Sequence, residues 1–229
     1  MKAQAFIFNW KGQTARAVEL EHAVGRLAKV QVINSAPDAP GDSNWIHLGD
    51  NAYFSAQWNM LLNSMEAETD IIFHIQADVE FNDFPRLFER AEHAFRSYST
   101  GVYEPKISRP SKDYDTSKLR CLEERVFEVP LTDTTCWFIA APILRNFPRI
   151  DVNVNRFGWG VAATVAALVR QAGHICVKDY SFMVHHPSGR GYAASVAKRQ
   201  EMDYINGLKL SLAVDIVRVI LDRQRLMQR

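Results

Sequence analysis

The 229-residue chain reads as an α/β protein: a mostly parallel central sheet flanked by helices, continued by a C-terminal helical extension. Three observations predict this class. Apolar runs of strand length alternate with segments of helical periodicity, and the connections between them are short. A composition that is 47% hydrophobic, with 13 Phe, 7 Tyr and 5 Trp, suffices to cover both faces of a sheet. The length suits one large domain with an appendage, divided here into residues 1–192 and an extension over 193–229.

The elements follow in order. Ala3–Phe8 is a short apolar run stopped by Asn9, and Ala17, Leu20, Ala23, Val24 and Leu27 then recur at helical spacing. Val30–Asn34 is a second strand, "SAPDAPGDSN" has loop chemistry, and Trp45–Leu48 is a brief strand. Asp50 or Asn51 is placed to cap a helix with Phe54, Trp58, Leu61, Leu62 and Met65 on one side. "IIFHIQADVEF", Ile71–Phe81, begins as a buried strand and ends in acids. An amphipathic helix spans Leu87–Phe95 and a strand Gly101–Pro105. The polar stretch Lys106–Leu119 favours a mobile surface loop over a substrate lid. Strands are expected at Val126–Val129, Trp137–Ala140, Ile175–Lys178 and Ser181–Val184, with a helix over Val161–Ala172 closed by Gly173. From Ala193 the pattern is helical to the end, with a break near Gly207.

A formal net charge of +1 gives no reason to expect a nucleic-acid partner. Cys121, Cys136 and Cys176 are too scattered for a disulfide framework and read as buried thiols. No apolar run approaches the about 20 residues of a membrane span, and the apolar run before Asn9 is too short for a signal-peptide core. The expectation is a soluble cytoplasmic protein. The terminal stretch, apolar at Leu212, Ile216, Val219 and Ile220 and rich in arginine, either packs on the domain or a second copy or lies peripherally on a membrane.

In open sheets with parallel strands, ligands sit where strand carboxyl ends converge, and Asn9, Asn34 and Asp78 all fall there. Asp78 and Glu80, two apart on an extended segment, share a side and suit a hard cation such as Mg²⁺ or Mn²⁺. On spacing alone solvated loop acids, some capping the next helix, are the commoner origin of such a pattern. His185 and His186 follow an apolar strand and add nitrogen ligands if they lie near Asp78, while Gly189, Arg190 and Gly191 suit phosphate. "FGWG" sets Trp159 and Gly160 directly before a helix, as a close-approach loop with a stacking ring or as a tight turn with a core Trp.

Taken in order, these pieces resemble the family 2 type of GT-A fold nucleotide-sugar glycosyltransferases, from Ala3 to about Tyr192. The resemblance implies that Asn9, Asn34 and Ser35 hold the nucleoside, with Asn59 of "DNAYFSAQWN" and Gln76 completing the donor site. Gln76-Ala77-Asp78 matches the metal-binding element, so Asp78, with Glu80, His185 and His186, would hold Mn²⁺ or Mg²⁺. Trp159 and Gly160 would bound a glycan, lipid-linked or protein acceptor, in polysaccharide biosynthesis or a related path. The general-base position falls on Ala162, so Asp133 or Asp151 would have to take the acceptor proton. A catalytically impaired domain acting as a nucleotide-binding or partner subunit is the alternative. A nucleotidyltransferase ranks last, because "NWKGQTAR" has a single glycine where a triphosphate loop would need more.

Overall fold

Strand β1 (Ala3–Asn9) is buried along almost its whole length, and the rest of the sheet is laid out around it. The computed structural model describes residues 1–38, 44–50, 52–108, 113–187 and 192–227. β1 pairs in parallel with β2 (Lys29–Asn34) on one edge and β4 (Ile71–Gln76) on the other, and β2 pairs with the two-residue β3 (Ile46–His47). The crossovers are α1 (Thr14–Val24) and α2 (Phe54–Ser64). Beyond β4 and α3 (Phe84–Ser97) the sheet turns mixed. β8 (Cys136–Ala140) runs antiparallel between β4 and β5 (Thr100–Ser108), and β9 (Ile175–His185) returns parallel to β5. A hairpin of β6 (Arg120–Glu123) and β7 (Val126–Val129) closes the far edge, giving the order β3-β2-β1-β4-β8-β5-β9-β7-β6.

Period-two alternation sends β1 side chains into two cores. Phe6 and Phe8 join Trp58 of α2, Trp137 of β8 and the apolar stripe of α5 (Val161–Gln171). Ala5 and Ile7 join Leu20 of α1 and Leu87 of α3. Helix α4 (Ala141–Arg145), α6 (Ala194–Asn206) and α7 (Leu210–Leu226) pack on the first face, where Tyr204 and Val219 are buried. Gly173 ends α5 at φ +75°, with the His174 N–H on Val169 O and the Gly173 N–H on Arg170 O, a Schellman closure. Among the described residues no helix is long and apolar enough to cross a membrane.

Several expectations change. The second helix starts at Phe54 with Tyr53 as an uncapped N-cap, so Asp50 does not cap it; Asn51 lies outside the described residues. Of the polar stretch after Pro105, residues 109–112 lie outside the described residues, and the rest is not a loop throughout. β5 runs on to Ser108, and Tyr114 is buried, its hydroxyl donating to Leu131 O at 2.5 Å. Lys178 holds Asp113 at 3.2 Å, so this part is tied down by charge, not left as a mobile loop. The two strands expected after Gly173 are one, β9, interrupted where residues 180–182 bulge from the β5 register. β6, four residues with a charge at each end, and α4, a single turn of five, were too short to read from pattern. Cys121 is exposed, whereas Cys136 and Cys176 are buried.

His74 of β4 is fully buried among Phe8, Phe54, Trp58 and Trp137, and its Nδ1 accepts from the Trp137 indole at 3.0 Å. Burial lowers its pKa to about 3 from the usual 6.5. With the folded pKa depressed, the unfolded chain binds the extra proton between those values. The contribution is present in full above pH 6.5 and falls as pH drops toward 3. Urea unfolding of wild type and His74→Gln across pH 7 to 4 should therefore show a shallower acid loss in the variant, whose amide still accepts from Trp137. Coincident slopes would mean that His74 is not held neutral.

Candidate functional site

The parallel strands deliver their ends to one edge. Asn9 and Asn34 are the last residues of β1 and β2, and Gln76 the last of β4. β8 begins at the same edge, where Thr135 O accepts from the Gln76 N–H at 2.9 Å. Past Gln76 the chain turns, the Val79 N–H returning to Gln76 O at 3.2 Å. Glu80 then forms a two-way backbone bridge with His185 at the end of β9. That turn breaks the extended alternation, so Asp78 and Glu80 do not act as a pair. Glu80 and His185 are solvent-exposed, their nearest side-chain atoms 4.0 Å apart.

Asp78 instead meets His186. Asp78 Oδ2 lies 3.1 Å from His186 Nε2, and both side chains are mostly buried. The approach lacks hydrogen-bond alignment: Asp78 Oδ1 and His186 Nε2 are buried without a hydrogen-bond partner. Two donors at this separation match neighbouring vertices of an octahedral cation, about 3.0 Å apart for bonds of about 2.1 Å. The chemistry of the pair, one carboxylate and one imidazole, suits Mn²⁺ or Mg²⁺ with the remaining positions left to phosphate and water. Among the described residues no three His, Cys, Asp or Glu side chains gather as a metal group, so the four-residue donor set expected from sequence is not assembled.

The amides at the edge are turned inward. Asn9 Nδ2 donates to Asn34 Oδ1 at 2.7 Å, Asn34 Nδ2 to Ala36 O at 2.8 Å, and Ser35 Oγ to Asn9 O at 3.0 Å. Gln57 of α2 ties the ends of β1 and β2 together through Asn9 O and Ile33 O. Asn9, Asn34 and Ser35 are all buried, so they shape the floor of the edge. Asn59 commits its amide to both backbone groups of Ile150, and Gln76 reaches Thr134 O at 3.4 Å.

Helix α5 runs back against β9 and returns Trp159 and Gly160 to this edge. The loop before it is built by Asn155, whose Nδ2 donates to Trp159 O at 2.7 Å and whose Oδ1 accepts from the Gly158 N–H at 3.1 Å. Gly158 and Gly160 have φ of +75° and +93°, the left-handed region that favours glycine. A Cβ on Gly158 would sit 2.2 Å from Phe54. Around the loop stands an aromatic wall absent from the sequence reading. Phe157 stacks on Tyr192 at 4.1 Å and meets Tyr53 edge-on at 5.0 Å, the Arg156 guanidinium covers Tyr53 at 4.2 Å, and the Trp159 indole donates to the Tyr192 hydroxyl at 3.1 Å. These rings come from three segments, which is why no local pattern announced them. Gly189, Arg190 and Gly191 lie outside the described residues.

Helix α5 has no acid in its first turn, consistent with Ala162 there. Asp133, just before β8, is oriented by Thr135 Oγ1 at 2.6 Å, and its backbone N–H donates to Glu104 Oε1 at 2.6 Å. Asp151 accepts from the Asn153 N–H in a local turn. Glu201 of α6 packs beside the start of α5, its Cγ 3.4 Å from a Cβ built on Gly160. It pairs with Lys198 at 2.6 Å.

No protein-family model and no curated protein matches the sequence. The fold does match solved structures. GalNAc-T7 with UDP, GalNAc and Mn²⁺ superposes at TM-score 0.60 and 10% identity, over 90% of this chain and 48% of that one. The 1–349 segment of TarS from S. aureus in complex with UDP-GlcNAc gives 0.59 and 12%, over 98% and 72%. A mycobacterial protein gives 0.56 and 10%, over 97% and 74%. The chain therefore has the GT-A fold expected from its motifs, and spans about half the length of the first of these neighbours.

Gly158→Ala should be far more costly than Gly173→Ala. Both glycines have φ of +75°, a strain of about 1–3 kcal/mol for alanine, but nothing lies within 4 Å of a Cβ at Gly173. At Gly158 the overlap with Phe54 adds about 1–3 kcal/mol. Thermal melts of the two variants should separate by several degrees, and equal melting temperatures would show that the loop yields freely.

Proposed function

We propose that the chain is a metal-dependent glycosyltransferase that moves a sugar, with inversion, from a nucleotide-sugar donor to a glycan, lipid-linked or protein acceptor. The observation that carries this reading is the Asp78–His186 pair, with partnerless buried donor atoms, at the strand-end edge of a GT-A sheet. GalNAc-T7 was crystallised with UDP and Mn²⁺ and TarS with UDP-GlcNAc, which supports a nucleotide diphosphate at this edge. Asp78 and His186 would hold the cation, and Glu80 and His185 flank them on the exposed side. Bound Mn²⁺ or Mg²⁺ would supply charge neutralisation for the leaving diphosphate. The Asn9–Asn34–Ser35 floor fixes the backbone on which the nucleoside rests, with Gln76 beside it. Trp159 and Gly160, with the ring faces of Phe157 and Tyr192, bound the acceptor, since ring faces suit the apolar side of a sugar. Asp133 would take the acceptor hydroxyl's proton as the anomeric carbon is attacked.

A second reading rests on one observation, the acid-free first turn of α5. In it the domain binds the nucleotide as a partner subunit and transfers nothing.

Calorimetry with UDP, GDP, dTDP and CMP, in Mn²⁺ and in EDTA, should show one nucleotide binding only with metal, and Asp78→Ala and His186→Ala should each abolish that heat. Binding of no nucleotide would sink the donor site. Once a donor is known, Asp133→Asn should lower turnover by about 10²–10⁴-fold with donor affinity retained. A loss confined to Glu201→Gln would move the base to α6, and wild-type donor binding with no transfer or hydrolysis would favour the partner subunit.

A further inference from the structure

Helix α7 carries two apolar faces. Ile216 and Val219 are fully buried, and Leu212 and Leu226 pack with them on the domain core. On the opposite face Leu210, Val214, Val217 and Leu221 stand 79%, 39%, 47% and 44% exposed. Steps of four, three and four residues confine them to an arc of about 60° on a helix of 3.6 residues per turn. Single exposed apolar residues are ordinary, but an aligned row marks a contact surface.

The charges beside the row decide what it contacts. Arg218 and Arg225 line one flank, about 60° from the centre of the row, with side chains 66% and 75% exposed. Asp215 and Asp222 lie further round toward α5, where Gln171 donates to Asp215 at 2.7 Å and Arg170 pairs with Asp222 at 3.0 Å. Arg218 and Arg225 reach back to these carboxylates, at 3.2 and 3.7 Å, but the arginine side chains are the more exposed partners and remain the outermost charges of the flank. On the same flank a cleft of about 500 Å³ opens between the end of α7, α5 and the β6–β7 hairpin, with Lys118, Arg120, Arg170 and Arg225 set against Glu128 and Asp222.

We propose that this face of α7 docks on an anionic lipid surface, the apolar row entering the interface while the arginine flank and the basic cleft meet the headgroups. A second copy fits less well. An antiparallel pair would set one arginine flank along the other, and a parallel pair would set it along Ala213 and Ile220, so neither adds a carboxylate to Asp215 and Asp222, which Arg218 and Arg225 already hold within the helix. The proposal stands independently of the transferase reading.

Sedimentation of the full chain with phosphatidylcholine vesicles, and with vesicles that also contain phosphatidylglycerol, tests it. Recovery is expected with the anionic vesicles alone, weakening as salt is raised. The double substitution Val217→Asp, Leu221→Asp should abolish recovery, and Arg218→Gln or Arg225→Gln should each weaken vesicle affinity about fivefold. All four positions are exposed, and an unchanged melting curve confirms that the variants fold. No binding to either vesicle, or equal binding to both, would overturn the proposal. So would a stable dimer by light scattering that Val217→Asp dissociates, which would give the row to a second copy.

Discussion

The edge where the candidate site forms depends on β4 being fixed along both of its sides. β1 holds it in parallel from Ile71 to Gln76, and β8 holds it antiparallel from Ile71 to Ile75. Both faces are covered as well, Phe73 meeting Phe88 of α3 on one side and His74 meeting Trp58 of α2 on the other. A strand so enclosed has no freedom of register, because a one-residue slip would exchange its two faces. Asp78 leaves the sheet two residues after the last rung, so its position is inherited from that ladder. The return of β9 to the same edge brings His186 to it, across the Glu80–His185 bridge.

This enclosure also explains what could be read from the residues alone. The first half of the fold was legible because parallel strands buried on two faces appear as short uninterrupted apolar runs, and Ala3–Asn9 and Ile71–Gln76 are such runs. The edge was legible because Asn9, Asn34 and Asp78 interrupt them. The far half was less so. β6, the outer strand of the peripheral hairpin, has Arg120 and Cys121 exposed and carries little apolar signal, whereas its partner β7 was legible at Val126–Val129. The bulge in β9 resembles a break between strands because Tyr180 and Ser181 leave the ladder there.

At the site the limits were geometric. Spacing suggested that Asp78 and Glu80 act together, since residues two apart share a face of an extended strand. The turn after Gln76 removes that premise and exchanges the partner, so Asp78 finds a histidine 108 positions away in sequence. Tyr53, Phe157 and Tyr192 converge only through tertiary packing. Asn155 gave a faint signal, an amide placed before a glycine pair in the manner of a side-chain-closed turn. It is the residue that holds Trp159 in place.

What separates this edge from ordinary structure is the uneven treatment of its polar groups. Asn34, Ser35 and Gln57 are buried and bonded to backbone or to Asn9, so burial costs them little, while Asn9 donates to Asn34 and leaves its own Oδ1 without a partner. Asp78 Oδ1 and His186 Nε2 are buried a short distance away and bonded to nothing. Each such group left unsatisfied costs about 1–3 kcal/mol. The other Asp78 oxygen, Oδ2, lies 3.1 Å from His186 Nε2, at cation spacing, an arrangement that a ligand would complete. By the same reasoning Ala162 is informative. With no acid in the first turn of α5, the helix start is shaped by Asn155, two left-handed glycines and the aromatic wall, so what it offers a ligand is shape and ring faces, not a carboxylate of its own.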